Sequence, residues 1–350
     1  MPCATSDTSN TISVVVVNWN RKELLRECLH SLASQNLSDG SQPAVIVVDN
    51  GSTDGSVEML EAEFGGDRPL PVQLIRNKDN RGFCGANNQG IAASKSDFIA
   101  LLNNDAEADP NWLQSLLAAF HERPEIGMAA SKILHFENPG RIDKVGHLIY
   151  PDGQNRGRGT GEMDHGQYDQ VEETAWPDGC ACMYRRKMLD EIGGFDEDFF
   201  AYADDAELGL RAQIAGWRCL YVPQAVVKHR RGETLGLRST FRLELIERNR
   251  VLLAAKLFPI GLLFLNPFYY LLRLSAGALA AVRGKGEVGR YPSKTAVARA
   301  LLKADLKALL LLPKMFAKRR RLVRRISTAE LYALLKKYRI PLRVLTEEAI

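Results

Sequence analysis

Apolar and polar positions follow two rhythms along the first hundred residues. Residues 12–17 form an apolar, β-branched run and predict a strand. Leu24, Leu25, Cys28, Leu29 and Leu32 then recur at helical spacing. The alternation repeats. Residues 44–48 predict a second strand, Val57, Met59, Leu60 and Phe64 a helix, and residues 72–75 a third strand. Residues 87–93 follow as a helix and residues 97–102 as a fourth strand. Strands alternating with helices predict a mainly parallel sheet covered on both faces, with ligands beyond the carboxyl ends of its strands. Three of those ends carry polar clusters: Asn18-Trp19-Asn20, Asp49-Asn50-Gly51-Ser52 and Asn103-Asn104-Asp105. They should meet at one edge of the sheet. Asp109-Pro110 opens a helical pattern through Trp112, Leu113, Leu116 and Leu117, so a cap role accounts for Asp109 but leaves Asp105 unexplained.

Later stretches break the rhythm. Residues 139–170 are rich in Gly, Asp and Arg with little periodicity, the pattern of a long loop or irregular insertion. Its GRGTGE (157–162) has neither a preceding strand nor a following helix, so it is expected to be a turn and not a phosphate loop. The turn after the first strand is NWNRKE, which disfavours a dinucleotide fold. Residues 257–272 carry no charge but contain Pro259, Asn266 and Pro267. Sixteen residues fall short of the roughly 20 a spanning helix needs, and the prolines are expected to break the helix. A re-entrant or interfacial segment is the first expectation, a tilted span past Arg273 the second. Beyond it Leu301, Leu302, Leu306, Leu309 and Leu310 form an amphipathic pattern, followed by KMFAKRRRLVRR (314–325). Seven cations beside an apolar face suit an anionic leaflet. The other reading is a solvated helix packed on the preceding domain.

Composition changes this picture in two places. The 350 residues are 45% hydrophobic and 25% charged, as in globular proteins. The net charge of +4 hides an asymmetry. Residues 1–230 hold 21 Lys+Arg against 34 Asp+Glu, a net of −13, and residues 231–350 hold 25 against 8, a net of +17. The acidic front argues against nucleic acid as its ligand, and the basic back needs an anionic partner such as a membrane surface. The six cysteines (Cys3, Cys28, Cys84, Cys180, Cys182, Cys219) include no CxxC pair and read as reduced, mostly buried thiols. Residues 1–11 have no apolar core, unlike a signal peptide.

Candidate chemistry clusters at the strand ends. Asp49 opens DNGSTDGS, where Ser52 and Thr53 can cap a helix. A carboxylate there could also accept the imide N–H of a uracil or thymine base. NKDNRGFCGANNQG (77–90) offers Arg81 and amides such as Asn87 to sugar hydroxyls and diphosphate oxygens. Its glycines, Gly82, Gly85 and Gly90, allow close backbone approach to a ligand. Asp105 is suited to a divalent cation, Mg²⁺ or Mn²⁺, that completes its shell with water and substrate phosphates, and His229 could join it. Leu208, Leu210, Ile214 and Trp217 predict a helix from about Asp204, with Asp204, Asp205 and Glu207 crowding its first turn. Three carboxylates exceed what capping needs, and mutual repulsion would raise one toward the range of a useful base.

SVVVVNWNR, VVDNGSTDGS, NRGFCGANNQGI, LLNNDAEADPNWL and GGFDEDFFAYADDAELGLR occur in an order that resembles family 2 glycosyltransferases, in particular the bacterial rhamnosyltransferase-like group. The resemblance covers residues 12 to about 258, including RNRVLLAAK at 248–256. It implies a GT-A fold over residues 1–240, with a nucleotide-sugar half at about 12–110 and an acceptor half at about 111–240. A helical, membrane-associated region would follow at 241–350. It also implies a dTDP- or UDP-linked sugar donor, rhamnose first, and inversion at the anomeric carbon. Asp49 would contact the base, with Asn18, Ser52, Arg81, Gly82, Asn87, Asn103 and Asn104 around the donor. Asp105 and His229 would hold the metal, Asp205 would be the base, and Asp204, Glu207 and Gly179 would face the acceptor. That acceptor would be a saccharide or a polyprenyl-linked sugar at the cytoplasmic face of a bacterial inner membrane. Asn103 stands at the first Asp of the family's DxD, and Asp204-Asp205 stands for its Glu-Asp pair. A binding module without turnover and a nucleotidyltransferase remain open beside this reading.

Overall fold

The structure is a computed structural model that describes residues 11–38, 40–66, 70–121, 123–232, 236, 239–286, 291 and 293–347. Its first part runs β1 (Ile12–Asn18), α1 (Lys22–Ala33), β2 (Ala44–Asp49), α2 (Ser56–Phe64), β3 (Val72–Arg76), α3 (Gly82–Ala93) and β4 (Phe98–Leu102). These four strands pair in parallel in the order β3-β2-β1-β4. Alternate residues enter two separate cores. Val14, Val16, Val45 and Val47 point into one, and Val15, Ile46, Val48 and Ile99 into the other. Burial on both faces is why the strands read as continuous apolar runs.

α3 begins at Gly82, five residues earlier than the periodicity indicates, so most of the expected glycine-rich loop is helix. Gly82 and Gly90 are fixed by packing, and Gly82 also borders the cavity described below. A Cβ on Gly90 would lie 2.3 Å from Val15 Cγ1, and one on Gly82, at φ +71°, would meet Phe200 at 2.5 Å. The sheet is too close to Gly90, and the turn at Phe200 too close to Gly82, for a side chain at either position.

The chain continues through β5 (Ala106–Ala108), α4 (Trp112–Ala118), β6 (Ile126–His135), β7 (Ile142–Lys144), β8 (His147–Ile149), β9 (Asn155–Gly157), β10 (Glu172–Thr174) and β11 (Ala181–Arg185). α5 (Arg186–Ile192), a 3-10 turn (Glu197–Phe199), α6 (Asp204–Ile214) and β12 (Arg218–His229) complete this part. β11 enters antiparallel between β4 and β6, and β12 lies parallel to β6, giving a mixed, mostly parallel central sheet. Asp109 does not cap α4 through its side chain. Its backbone carbonyl accepts from Trp112 N, and Asn111 takes the cap position. Residues 139–170, expected to be irregular, hold the short strands β7, β8 and β9. Cys28, Cys84, Cys180, Cys182 and Cys219 are buried and unpaired, as expected, while Cys3 and residues 1–10 lie outside the described residues.

The C-terminal part comprises α7 (Thr240–Leu257), α8 (Ile260–Val282), α9 (Lys294–Arg319), α10 (Thr328–Lys337) and α11 (Leu342–Glu347). The prolines do not break α8. Pro259 is its N-cap residue and Pro267 sits within 23 continuous helical residues, long and apolar enough to cross a membrane. Proline at position 267 forfeits one backbone donor, but the exposed outer face of α8 leaves room for its ring. Arg273, midway along, is held by Asp152 of the first part (2.6 Å) and by Glu247 of α7 (2.7 Å).

Part of the charge asymmetry is met within the chain. Lys314 pairs with Asp198, Lys318 with Asp196 and Asp198, and Arg325 with Glu191, while Lys303 and Lys307 flank Glu244. The opposite, apolar stripe of α9 (Leu302, Leu306, Leu309, Leu310) stays exposed. The end of the basic helix thus pairs with the acidic part, as the second reading expects, while the rest of it packs on α7 and keeps the exposed apolar stripe of the first.

Burial would raise the Asp196 carboxyl, but Lys256 and Lys318 outweigh it and hold the group at about 2. A depressed carboxylate stabilises the fold above its unfolded range near 4, and the gain is lost as pH falls through 2, here about 2 kcal/mol. The urea midpoint should therefore drop between pH 5 and pH 2. Asp196→Asn should lower the midpoint at pH 5 and flatten that pH dependence; an unchanged slope would remove Asp196 as its source.

Candidate active site

Parallel register brings the strand ends together. Asn18 and Asp49 are direct partners on β1 and β2. Asn18 Nδ2 donates to Asp49 Oδ2 and to Ser52 Oγ (both 3.2 Å), and its Oδ1 accepts from Asn104 Nδ2 (2.7 Å). Asp49 Oδ1 also takes the N–H groups of Gly51 (3.2 Å) and Ser52 (2.9 Å). The three polar clusters thus meet at one sheet edge, as expected. Asn18, Asp49 and Ser52 spend their polar atoms on one another and do not line the adjoining cavity. The neighbouring Asn50 does line it, and it ties down the 77–82 segment by accepting from Asn77 Nδ2 (3.0 Å) and donating to Gly82 O (3.2 Å). Arg81 and Asn87 also lie off the cavity, the latter bonded to Phe83 O (2.9 Å).

The cavity holds about 360 Å³ and is lined by Gly82, Asn103, Asn104, Asp105, Gly179, Asp204, Asp205 and His229 from the residues singled out above. Asp105 comes from the turn between β4 and β5, and β5 pairs with β12 so that Ala106 faces His229. This register places His229 Nε2 3.4 Å from Asp105 Oδ1, an oxygen that is buried and has no hydrogen-bond partner among the described residues. His229 Nδ1 meets Asp143 Oδ2 at 2.7 Å, and Asp143 Oδ1 meets Arg231 at 3.0 Å. Burial opposes a charge on His229, but the Cys180 thiol, Asp105 and Asp143 hold its imidazole well above the usual range. An orphaned carboxylate oxygen, a histidine nitrogen and a carboxylate behind that histidine fit a divalent ion.

The second group stands at the start of α6. Asp204 and Asp205 both titrate above the ordinary carboxylate range, first because they are buried and, for Asp204, because Asp205 adjoins it. His147 Nε2 lies 3.5 Å from Asp205 Oδ2 and 2.9 Å from Asp178 Oδ2, and Lys144 Nζ lies 2.5 Å from that same Asp178 oxygen. Despite its burial, Asp178 is held well below the ordinary range by Lys144 and His147. The ligand atoms of His147, Asp178 and Asp205 all fall within 4.8 Å of one another, a grouping that could hold a metal. Here, however, the Lys144 ammonium already supplies a positive charge. Glu207 turns away from the cavity, onto Arg211 (2.8 Å) and Lys256 (2.7 Å).

The sequence reading missed Lys144, His147 and Asp178. WPDG (176–179) preceded a strand, but nothing marked Asp178 as a partner for residues 31 and 34 positions earlier. Another unforeseen feature is the turn before Asp204. Phe200, Tyr202 and Ala203 all have positive φ (64°, 68° and 55°), each costing about 1–3 kcal/mol outside glycine.

A mixed, mostly parallel sheet with polar strand ends and paired carboxylates around one cavity is the GT-A architecture of nucleotide-sugar transferases. Among solved structures, a mannosyltransferase from Pyrobaculum calidifontis in complex with GDP-Man and Mn²⁺ shares this fold. Its TM-score is 0.52 at 18% identity, over 93% of this chain and 86% of that one. Residues 13–193 match the glycosyl transferase family 2 description, and the chain belongs to that family. Its relatives place it in the rhamnosyltransferase-like group. The N-acetylglucosaminyl-diphospho-decaprenol L-rhamnosyltransferase of Mycobacterium tuberculosis is 27% identical over 226 residues, covering 59% of this chain and 72% of that protein. An uncharacterised protein of Sinorhizobium fredii is 26% identical over 245 residues, which is 65% of this chain but only 25% of that relative's length. Family membership makes this chain an enzyme and sets the nucleotidyltransferase reading aside.

The geometry predicts where a cation binds. With UDP or dTDP present, Asp105→Ala should weaken Mn²⁺ binding at least tenfold by electron paramagnetic resonance, and Asp178→Asn should change it less than threefold. The opposite ranking would move the ion to the His147 group.

Proposed function

We propose that this enzyme transfers a sugar, rhamnose from dTDP-rhamnose before any UDP-linked sugar, to a polyprenyl-linked or other saccharide acceptor in cell-surface polysaccharide synthesis. The observation that carries this reading is the pairing, in one cavity, of the raised Asp205 carboxyl with the orphaned Asp105 oxygen. The named activity of the mycobacterial relative supports the choice of sugar and acceptor.

In this reading Asp205 Oδ2 accepts the proton of the acceptor hydroxyl as that oxygen bonds to the sugar's C1. The bond from C1 to the diphosphate oxygen breaks on the opposite face, so the anomeric configuration inverts. Burial and the charge of Asp178 raise the proton affinity of Asp205 against the opposing pull of His147 and Lys144, which suits a general base. His147 orients Asp205, while Asp178 and Lys144 fix His147. Asp105 and His229 would hold Mg²⁺ or Mn²⁺, which would neutralise charge on the departing nucleoside diphosphate. Asn50 and the Gly82 turn border the same cavity and would flank the donor. Asp49, with its carboxylate bonded to Ser52 and Asn18, would reach a base only after exchanging one of those bonds.

The 241–350 region would dock this domain, 1–240, on the cytoplasmic face of the bacterial inner membrane. Phe264 (82% exposed), Phe268, Leu271 and Val282 on α8 and Leu310 (81% exposed) on α9 present apolar surface, with Arg320, Arg321 and Arg324 exposed nearby in sequence. Because Arg273 is tethered to the catalytic part, one face of α8 is protein-bound, which favours a helix lying in the interface over one crossing it.

Two measurements test this. Asp205→Asn should retain nucleotide affinity within threefold while release of nucleoside diphosphate from dTDP-rhamnose falls at least a hundredfold; equal turnover would exclude Asp205 as the base. Phe264→Asp/Phe268→Asp should abolish flotation with vesicles containing anionic lipid, and unchanged flotation would exclude α8 as the docking face.

A further inference from the structure

We propose that Asn249, assisted by Arg248, is a positioning residue that latches the strained 199–203 turn and so sets the place of Asp204 and Asp205. The inference rests on the reading of Asp205 as the base.

The turn is held almost atom by atom. Asn249 is fully buried on α7, and its Nδ2 donates to the carbonyls of Phe199 (2.9 Å), Ala201 (2.8 Å) and Tyr202 (2.7 Å). Two N–H groups serving three acceptors means that one is shared, and the amide has no capacity left. Its Oδ1 accepts from Arg248 Nε (2.9 Å), and Arg248 Nη2 donates to the carbonyls of Asp198 (3.1 Å) and Phe199 (2.8 Å). The Phe200 carbonyl accepts from Cys84 N of α3 (3.1 Å). Five successive carbonyls, from residue 198 to 202, are thus occupied by donors from outside the turn.

That set of bonds is needed because the backbone here would not hold its own shape. Phe200, Tyr202 and Ala203 sit in the left-handed region, and Ala203 is the N-cap of α6 without a side-chain cap bond. Strain of this kind persists only where surrounding structure over-determines it. Asp204 and Asp205 are the first two residues after the turn, so any relaxation of residues 200–203 displaces both carboxylates. A buried asparagine in mid-helix has poor helix propensity and would serve packing no better than leucine. Its three inward bonds are the contribution an apolar residue could not make. Asn249 touches neither the cavity nor Asp205, so it acts through the turn.

The test uses the full chain in two arms. Turnover is read as nucleoside diphosphate released from dTDP-rhamnose and UDP-sugars, and nucleotide affinity by calorimetry with UDP or dTDP and Mn²⁺. Asn249→Ala should lower turnover at least thirtyfold with nucleotide affinity within threefold. Ala203→Gly, which eases the left-handed backbone, should restore at least fivefold of the loss in the Asn249→Ala background. Turnover that is unchanged, that falls together with nucleotide affinity, or that is not rescued by glycine would each overturn the proposal. The second arm is hydrogen exchange of the amides of residues 203–207. These should exchange at least tenfold faster in Asn249→Ala while those of β1 keep their protection. Asn249→Ser, which keeps one donor, should be intermediate and guards against a variant that fails to fold. A wild type without turnover would count against the transferase chemistry, yet the exchange arm would still support or refute the latch.

Discussion

The buried side chain of Asn18 ties the donor edge of the sheet together. A parallel sheet brings strand ends to one edge but leaves their backbone and side-chain polar groups without neighbours of the same ladder. Asn18 closes three of those ends at once, donating to Asp49 and Ser52 after β2 and accepting from Asn104 after β4. With that amide in place the Asn103-Asn104-Asp105 turn has one position. β5 can then pair with β12, and His229 arrives opposite Asp105. Without it, Asp49 Oδ2 and the Asn104 amide would each lose a bond at this buried edge, a cost larger than the gain from forming it.

From that edge the site grows by opposition of charge. At one end of the cavity Asp105 and Asp143 face His229 from either side, and Arg231 pairs with Asp143. At the other, burial raises the two crowded carboxylates at the start of α6 while Lys144 and His147 hold Asp178 well below the ordinary range. Neighbouring acids with opposite shifts are what separate a proton acceptor from its orienting groups. The same principle operates at larger scale, where the basic C-terminal helices neutralise the acidic front through Lys256, Arg273, Lys314 and Lys318. Those contacts reach Asp196 and Asp198, immediately before the strained turn, so docking of the helices and order in the active site share residues.

Legibility from the sequence followed the range of the forces involved. Strands β1 to β4, the sheet edge and the acidic start of α6 were readable, because periodicity and strand-end polarity are local consequences of burial. The earlier start of α3 was hidden, since its glycines imitate a loop until Val15 and Phe200 are seen against them. The continuity of α8 through Pro267 was hidden as well, because a lone proline is tolerated where a helix has an exposed face. Glu207 looked like a third functional acid because helix spacing could not show Arg211 and Lys256 turned toward it.

What the sequence determined by itself was the order of elements over the first hundred residues, the family through motifs spread along the chain, and the residue types at each strand end, each motif and element set by a pattern within some twenty positions. Only the tertiary structure decided which of those residues share a cavity. His147 and Asp178 join Asp205 because β11 inserts antiparallel beside β4, and Asn249 reaches the 199–203 turn because α7 folds back against it. Hydrogen bonds and ion pairs act over a few ångströms regardless of separation along the chain, and a linear sequence carries no record of that proximity.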